Sequence, residues 1–133
     1  MYSYQLELYD LKSFKLKQST PIYDTYSEQN HPCKIVADGQ TIAVATKYHV
    51  IFYDNNLKIK HKALHNQVDI YDLNSSPDSK LVAMVGDNTV LLWDTVTFKS
   101  INFPFTISTA RSAKFSPNNN FLGVSSTTSV SLF

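Results

Sequence analysis

Apolar and polar residues alternate in short runs along the whole chain, and the runs recur at a fixed spacing. Shifting the sequence against itself by 40 residues aligns three segments without a gap, 34–53, 74–93 and 114–133. In each segment an apolar run follows a polar turn triplet, and a second run rich in β-branched and aromatic residues comes after a short break. Both runs have the length and composition of β-strands. A period of this length is typical of repeat proteins.

Each repeat predicts four strands. The apolar run and the run after it are two of them, and a third lies upstream of the turn, where small and large side chains alternate. A fourth strand follows at 58–63 and at 98–103, whereas the third unit stops before its own. The N-terminal segment predicts two further strands, 4–9 and 14–17, as the tail of an earlier unit. The pattern therefore predicts thirteen strands and no helix. The alternating positions of the upstream strand are Cys33 and Ile35, Leu73 and Ser75, and Ala113 and Phe115.

The second run of each unit is apolar on both faces. In the second unit Val90 and Leu92 point to one side and Leu91 and Trp93 to the other, which is expected of a sheet that lies between two neighbours. Radial repetition of four-stranded sheets meets that need.

We therefore predict an all-β chain that forms a segment of a β-propeller, with four-stranded antiparallel blades, a period of 40 and an incomplete ring. The whole chain, 1–133, is then a single partial propeller. Its parts are 1–18, the end of a blade; 31–63, a blade; 65–103, a blade; and 107–133, a blade that lacks its last strand.

The second unit resembles a repeat of the WD40 family. The resemblance rests on Ser76-Pro77-Asp78, on Gly86-Asp87-Asn88-Thr89-Val90 and on the Trp93-Asp94 pair. The first unit ends in Tyr53-Asp54 and the third contains Phe115-Ser116-Pro117, so these units are similar but degenerate. Rings of this family usually hold seven blades, and this chain supplies about three. The resemblance thus implies that the missing blades come from the rest of a longer chain or from a partner.

The resemblance also implies a structural hydrogen-bond network within the second blade. In the family a turn Asp, a His, a strand hydroxyl and the Trp form a chain of hydrogen bonds, and His65, Asp87 and Trp93 occupy three of these positions here. The hydroxyl position is occupied by Val85, and Leu64 replaces the glycine before the histidine. At most a partial network is therefore expected.

Composition excludes several classes of protein. Of the 133 residues 43% are apolar and 17% charged, which is typical of a globular chain, and the formal net charge of +1 gives no overall field that would attract nucleic acid or membrane. Cys33 is the only cysteine, no apolar stretch is long enough to span a bilayer, and the polar N-terminus lacks a secretory segment. A cytoplasmic or nuclear location fits these features.

Two rows of lysines allow two interpretations. Lys58, Lys60 and Lys62 alternate along one predicted outermost strand, and Lys15 and Lys17 do so along another. Such rows could contact the phosphates of RNA or phosphoinositide membrane. They could equally protect an exposed sheet edge against aggregation, and the pattern favours this second explanation.

No catalytic or metal site is expected. Cys33 and the four histidines, His31, His49, His61 and His65, show no metal-ligand spacing. The pair of Asp87 and His65 lacks a nucleophile, because Val85 occupies that position. The residues nearest a central channel, Asp69 and Asp72, have no counterparts in the other units. We therefore expect no enzyme activity, no cofactor and no small-molecule substrate.

The loops that follow the second strand of each blade and the connectors between blades share one face of a WD40 ring, and family members usually bind partners there. The candidate partner-binding residues on this face are Tyr48, Asn66, Asn88, Phe105 and Thr127. The resemblance implies a non-catalytic scaffold for proteins or peptides within a multi-subunit eukaryotic complex. The alternative is a propeller that binds phosphoinositide membrane or RNA through its edge lysines, although the sequence favours protein partners over nucleic acid or lipid.

Overall fold

The computed structural model of the chain describes residues 4–22, 34–37, 40–65, 69–86, 89–103 and 105–133. Within these residues it contains thirteen β-strands and no helix, which confirms the predicted strand number and the all-β class. All strand pairings are antiparallel, and they form four separate sheets, none of which closes on itself. Across these same ranges, no helix is long and apolar enough to cross a bilayer.

The first two sheets come from the N-terminal half of the chain. A hairpin pairs β1 (Tyr4–Tyr9) with β2 (Leu16–Ile22). The second sheet is a meander of β3 (Lys34–Ala37), β4 (Ile42–Ala45), β5 (His49–Tyr53) and β6 (Ile59–Leu64). The predicted strand 14–17 is wrong in its bounds, because the pairing of β2 with β1 continues to Ile22 opposite Tyr4.

The third and fourth sheets repeat this meander. The third contains β7 (Ile70–Ser75), β8 (Leu81–Gly86), β9 (Val90–Asp94) and β10 (Ser100–Ile101), and the fourth contains β11 (Ala110–Phe115), β12 (Leu122–Ser126) and β13 (Val130–Leu132). The strand β10 is much shorter than the predicted 98–103. Phe98 has a φ of 56° and belongs to the preceding turn, so that only Ser100 and Ile101 pair with β9.

The sheets stack face to face on apolar clusters. The hairpin and the second sheet share one cluster, the second and third sheets share another, and the third and fourth share the last. Along β5, Ile51 belongs to the first of these clusters and Phe52 to the second. Along β9, Trp93 packs towards the second sheet and Val90 towards the fourth. The predicted burial of these strands on both faces is therefore confirmed.

The first strands of the three larger sheets lie side by side, and β7 contacts both β3 and β11. Two side chains of β7 form hydrogen bonds with β11. The Asp72 carboxylate accepts hydrogen bonds from the Ser112 hydroxyl at 2.6 Å and from the Ala113 backbone N–H at 3.2 Å, while Asn74 Oδ1 accepts one from the Phe115 N–H at 3.0 Å. These bonds satisfy backbone donors on the edge of β11 that no strand covers.

The turn between the first two strands is the same in the third and fourth sheets. The Ser76 hydroxyl donates to Asp78 Oδ1 at 2.6 Å, and the Ser116 hydroxyl donates to Asn118 Oδ1 at 2.7 Å. In both turns the residue after the carboxylate or amide has a positive φ, 62° at Ser79 and 60° at Asn119. The Ser-Pro motif of the sequence is thus a hydrogen-bonded turn at both positions.

Candidate protein-binding face

The meanders place their turns on two opposite edges of the stack. One edge carries the turns 46–49 and 126–129 together with His65 and the connector 105–109, and we call it the connector edge. The other carries the turns 54–58, 76–80, 94–99 and 116–120, and we call it the turn edge. The candidate partner-binding residues that the structure describes, Tyr48, Phe105 and Thr127, all lie on the connector edge.

Phe105 is the most prominent of these residues. Its side chain is 50% exposed, and its ring centroid lies 4.7 Å from that of Phe133 and 5.5 Å from that of Phe103. Phe105 and Phe133 line a cavity of about 380 Å³, whose other walls are the connector and the hydroxyl-rich turn after β12. This cavity combines an aromatic wall with serine and threonine hydroxyls.

Thr127 lies beside this cavity, at the tip of the turn after β12. Its hydroxyl is 2.8 Å from that of Thr109, and both side chains are exposed. The turn is held by Ser126 Oγ, which accepts hydrogen bonds from the backbone N–H groups of Thr128 and Ser129. Phe105 and Thr127 thus lie on the same part of the connector edge.

Tyr48 belongs to a different part of the same edge, in the turn before β5. Its side chain is half-buried, Lys47 Nζ lies 5.3 Å from its ring centroid, and its carbonyl accepts a hydrogen bond from the His65 N–H at 2.9 Å. The remaining two candidates, Asn66 and Asn88, lie outside the described residues.

His65 ties the end of β6 to the turn before β5. Its Nε2 atom lies 2.8 Å from the Thr46 carbonyl oxygen. His65 and Trp93 line one cavity of about 320 Å³, and Trp93 Nε1 is buried with no hydrogen-bond partner among the described residues. Asp87 lies outside those residues, so the network of His65, Asp87 and Trp93 stays a prediction.

Sequence reasoning missed two features of the connector edge and its surroundings. The first is Phe133, which ends the last apolar run of the sequence and forms the aromatic wall beside Phe105. The Arg111 guanidinium lies 4.1 Å from the ring centroid of Tyr71, which joins β11 to β7 by a cation–π contact. Tyr71 and Arg111 are 40 residues apart and therefore occupy equivalent positions of neighbouring repeats. This spacing was the signal available in the sequence.

Lys60 and Lys62 lie on β6, the last strand of the second sheet, whereas Lys58 ends the turn before it, because β6 runs from Ile59 to Leu64 and not over the predicted 58–63. Lys58, Lys60 and Lys62 are exposed, a placement that edge protection and phosphate contact both require. Among the described residues, no three His, Cys, Asp or Glu side chains gather as metal ligands would.

Comparison with protein-family models and with curated proteins finds no match for this chain.

Proposed function

We propose that this chain is a segment of a β-propeller of the WD40 kind that acts as a non-catalytic scaffold, presenting its connector edge to proteins or peptides in a multi-subunit assembly. The stacking of successive meanders, with their first strands side by side, supports the propeller arrangement. The observation that carries the binding function is the exposed Phe105 above a cavity walled by Phe133 and hydroxyl groups.

The chemistry of this cavity suits a peptide. Aromatic side chains dominate the energetics of protein interfaces, because they bury a large area at a small cost in conformational entropy. The surrounding hydroxyls of Ser126, Thr128 and Ser129 can both donate to and accept from a peptide backbone. The cavity volume, about 380 Å³, is enough for one or two side chains of a partner.

Substitution of Phe105 tests this proposal. We expect Phe105→Ala to remove the proteins that co-purify with the wild-type chain, at least about tenfold by quantitative mass spectrometry, because truncating an aromatic anchor costs about 2 kcal/mol or more of binding free energy. Phe121→Ala is the matched control, since Phe121 is similarly exposed but lies on the turn edge.

The control variant should retain the partners of the wild type. Equal loss of partners in both variants would show that exposed apolar area, and not the connector edge, accounts for the interaction. Retention of all partners by Phe105→Ala would refute the assignment of Phe105.

A further inference from the structure

A third cavity, of about 520 Å³, opens between the second and third sheets on the turn edge, opposite the proposed protein-binding face. Its position does not depend on either end of the chain, because the two sheets that form it both have four strands. It is therefore a property of the contact between two neighbouring repeats. Its lining residues are Gln40, Thr41, Lys60, Asp78, Ser79, Lys80, Thr95, Val96 and Phe98.

The walls of this cavity combine polar and apolar groups and include two lysines, Lys60 and Lys80. The sheet contact brings these two lysines together, although they are 20 residues apart and belong to different repeats. Lys60 is held in place, because its Nζ donates a hydrogen bond to Thr41 Oγ1 at 3.1 Å and lies 5.4 Å from the ring centroid of Phe98. A cation positioned in this way loses little conformational entropy when it binds an anion.

The floor of the cavity is rigid. Thr41 and Thr95 are buried there, and Thr95 is fixed by its hydroxyl, which donates to the Ser79 carbonyl at 2.6 Å, and by its N–H, which donates to the Lys80 carbonyl at 3.0 Å. The same bonds fix the backbone that carries Lys80. Phe98 forms part of the wall, and its ring stacks on that of His61 with the ring centroids 5.4 Å apart.

We propose that this cavity binds a phosphate monoester, and that the group that carries the phosphate is a phosphorylated side chain of a protein partner. The Lys60 and Lys80 ammonium groups would contact the phosphate oxygens, since lysine binds phosphate as a compact point charge with three donors. The volume exceeds that of a phosphate ion and leaves room for the side chain that bears it.

The charges around the cavity favour this ligand over an anionic membrane. Asp54, Asp78 and Asp94 lie in the turns of the same edge. Beyond contact distance their negative charges offset the positive charges of the lysines. The edge therefore lacks the broad cationic area that attracts an anionic membrane. RNA is disfavoured as well, because the Phe98 ring already contacts His61, Phe52 and Lys60 Nζ, and these contacts compete with the stacking of a base. Only the short-range contacts inside the cavity favour an anion.

Among the described residues of the lining Asp78 is the only anionic one, and the repeat itself provides a way to remove its charge. In the fourth sheet the equivalent position is Asn118, whose Oδ1 accepts the same two hydrogen bonds, from the hydroxyl of Ser116 and from the N–H of Asn120. Asp78→Asn should therefore keep the turn intact while it makes the cavity more positive.

The test is a titration of the full chain with O-phospho-L-serine, followed by backbone amide NMR shifts, with L-serine at equal ionic strength as the reference ligand. We expect saturable shifts at Thr41, Lys60, Lys80 and Thr95 with phosphoserine only. Lys60→Gln should weaken the affinity about tenfold, because it removes one charged hydrogen bond, and Asp78→Asn should strengthen it severalfold.

Lys62→Gln is the matched control, because Lys62 is an exposed lysine of the same strand that does not line the cavity. This control should change the affinity less than about twofold. Equal weakening by Lys60→Gln and Lys62→Gln would overturn the proposal, as would shifts caused by L-serine. Vesicles that contain phosphatidylinositol 4-phosphate form a further arm, and binding to these vesicles without binding to phosphoserine would show that the ligand is a membrane. Because the cavity is on the turn edge, this result is independent of the Phe105 test.

Discussion

Asp10, Asp54 and Asp94 occupy the same position in the last hairpin of each of the first three sheets, directly after an aromatic residue. The carboxylate of Asp94 accepts hydrogen bonds from the N–H groups of Thr97 and Val96, each at 2.8 Å, and that of Asp54 accepts from those of Lys58 and Asn56. Asp10 does the same for the N–H groups of Ser13 and Lys12. The Asp of each aromatic–Asp pair is thus a turn former, which short polar side chains at turns commonly are.

These hydrogen bonds predict how stability depends on pH. The N–H of Thr97, followed by that of Val96, lowers the pKa of Asp94, and the N–H of Lys58 does so for Asp54. The Ser76 hydroxyl lowers the pKa of Asp78. Because the pKa of each group is lower in the folded state, its contribution to stability is complete above the ordinary aspartate pKa and is lost as the pH falls below it.

These aspartates should therefore leave the denaturant midpoint of unfolding constant between about pH 8 and pH 6. At pH values below about 4, the midpoint should decrease. Asp94→Asn, which keeps the accepting oxygen, should reduce the size of this fall. A rise in stability towards pH 3 would contradict the assignment.

At the scale of strands and their contacts, side-chain hydrogen bonds join β7 to β11. Asp72 accepts from the Ser112 hydroxyl and from the Ala113 N–H. We expect Ser112→Ala to lower the free energy of unfolding by about 1 kcal/mol and Asp72→Ala by about 1–3 kcal/mol, because the second change leaves an edge N–H without an acceptor.

A double-mutant cycle on these two residues measures the bridge itself. If Asp72 and Ser112 interact, the double variant should lose less stability than the sum of the two single variants, by about 0.5 kcal/mol or more. Strict additivity would show that β7 and β11 do not make this contact in solution.

The strand β5 provides a test of stacking on both faces of one sheet. Ile51 is 2% exposed and packs against the N-terminal hairpin, while Phe52 is fully buried and packs against the third sheet. We expect Ile51→Ala to lower the free energy of unfolding by about 2–5 kcal/mol and Phe52→Ala by about 3–5 kcal/mol. A sheet exposed on one face would show a large loss for only one of the two, as measured by urea denaturation.

The sequence predicted the strands well because the 40-residue repeat reinforced each local pattern three times. It failed where a contact outside the repeat decides the bounds, as in β2, whose length follows from its pairing with β1. It also failed at Phe98, because nothing in an aromatic residue indicates the positive φ that shortens β10.

The candidate site was predicted only in part, for a similar reason. Phe105 was recognised because it lies outside the strands, in a connector. The contribution of Phe133 depends on how the fourth sheet packs against that connector, and the cavity lined by Lys60 and Lys80 depends on the contact between two repeats. Neither contact is encoded in the local alternation of apolar and polar residues.

At the scale of the whole molecule, the sheets differ in how far they are covered. Within the part of the chain that the structure describes, the second and third sheets are packed on both faces, whereas the fourth sheet is covered only on the side of the third. Val130 and Leu132, which are 80% and 69% exposed, pair with Ser125 and Gly123 and so lie on the face turned away from the core.

Exposed apolar side chains on an uncovered sheet face favour association with a further sheet, because burying them removes apolar area from water. In a propeller such sheets are the neighbouring blades. If the chain is part of such a scaffold, the 133-residue chain by itself leaves an apolar sheet face exposed to water.

The mass of the purified chain in solution, measured by light scattering together with a thermal unfolding curve, shows whether the stacked sheets need further blades. We predict an oligomer or aggregate, relieved by added blades or by a partner, because the face with Val130 and Leu132 needs a neighbouring sheet. A stable monomer of 15.1 kDa that unfolds in one cooperative transition would contradict the account, since it would show that the stacked sheets are complete without further blades.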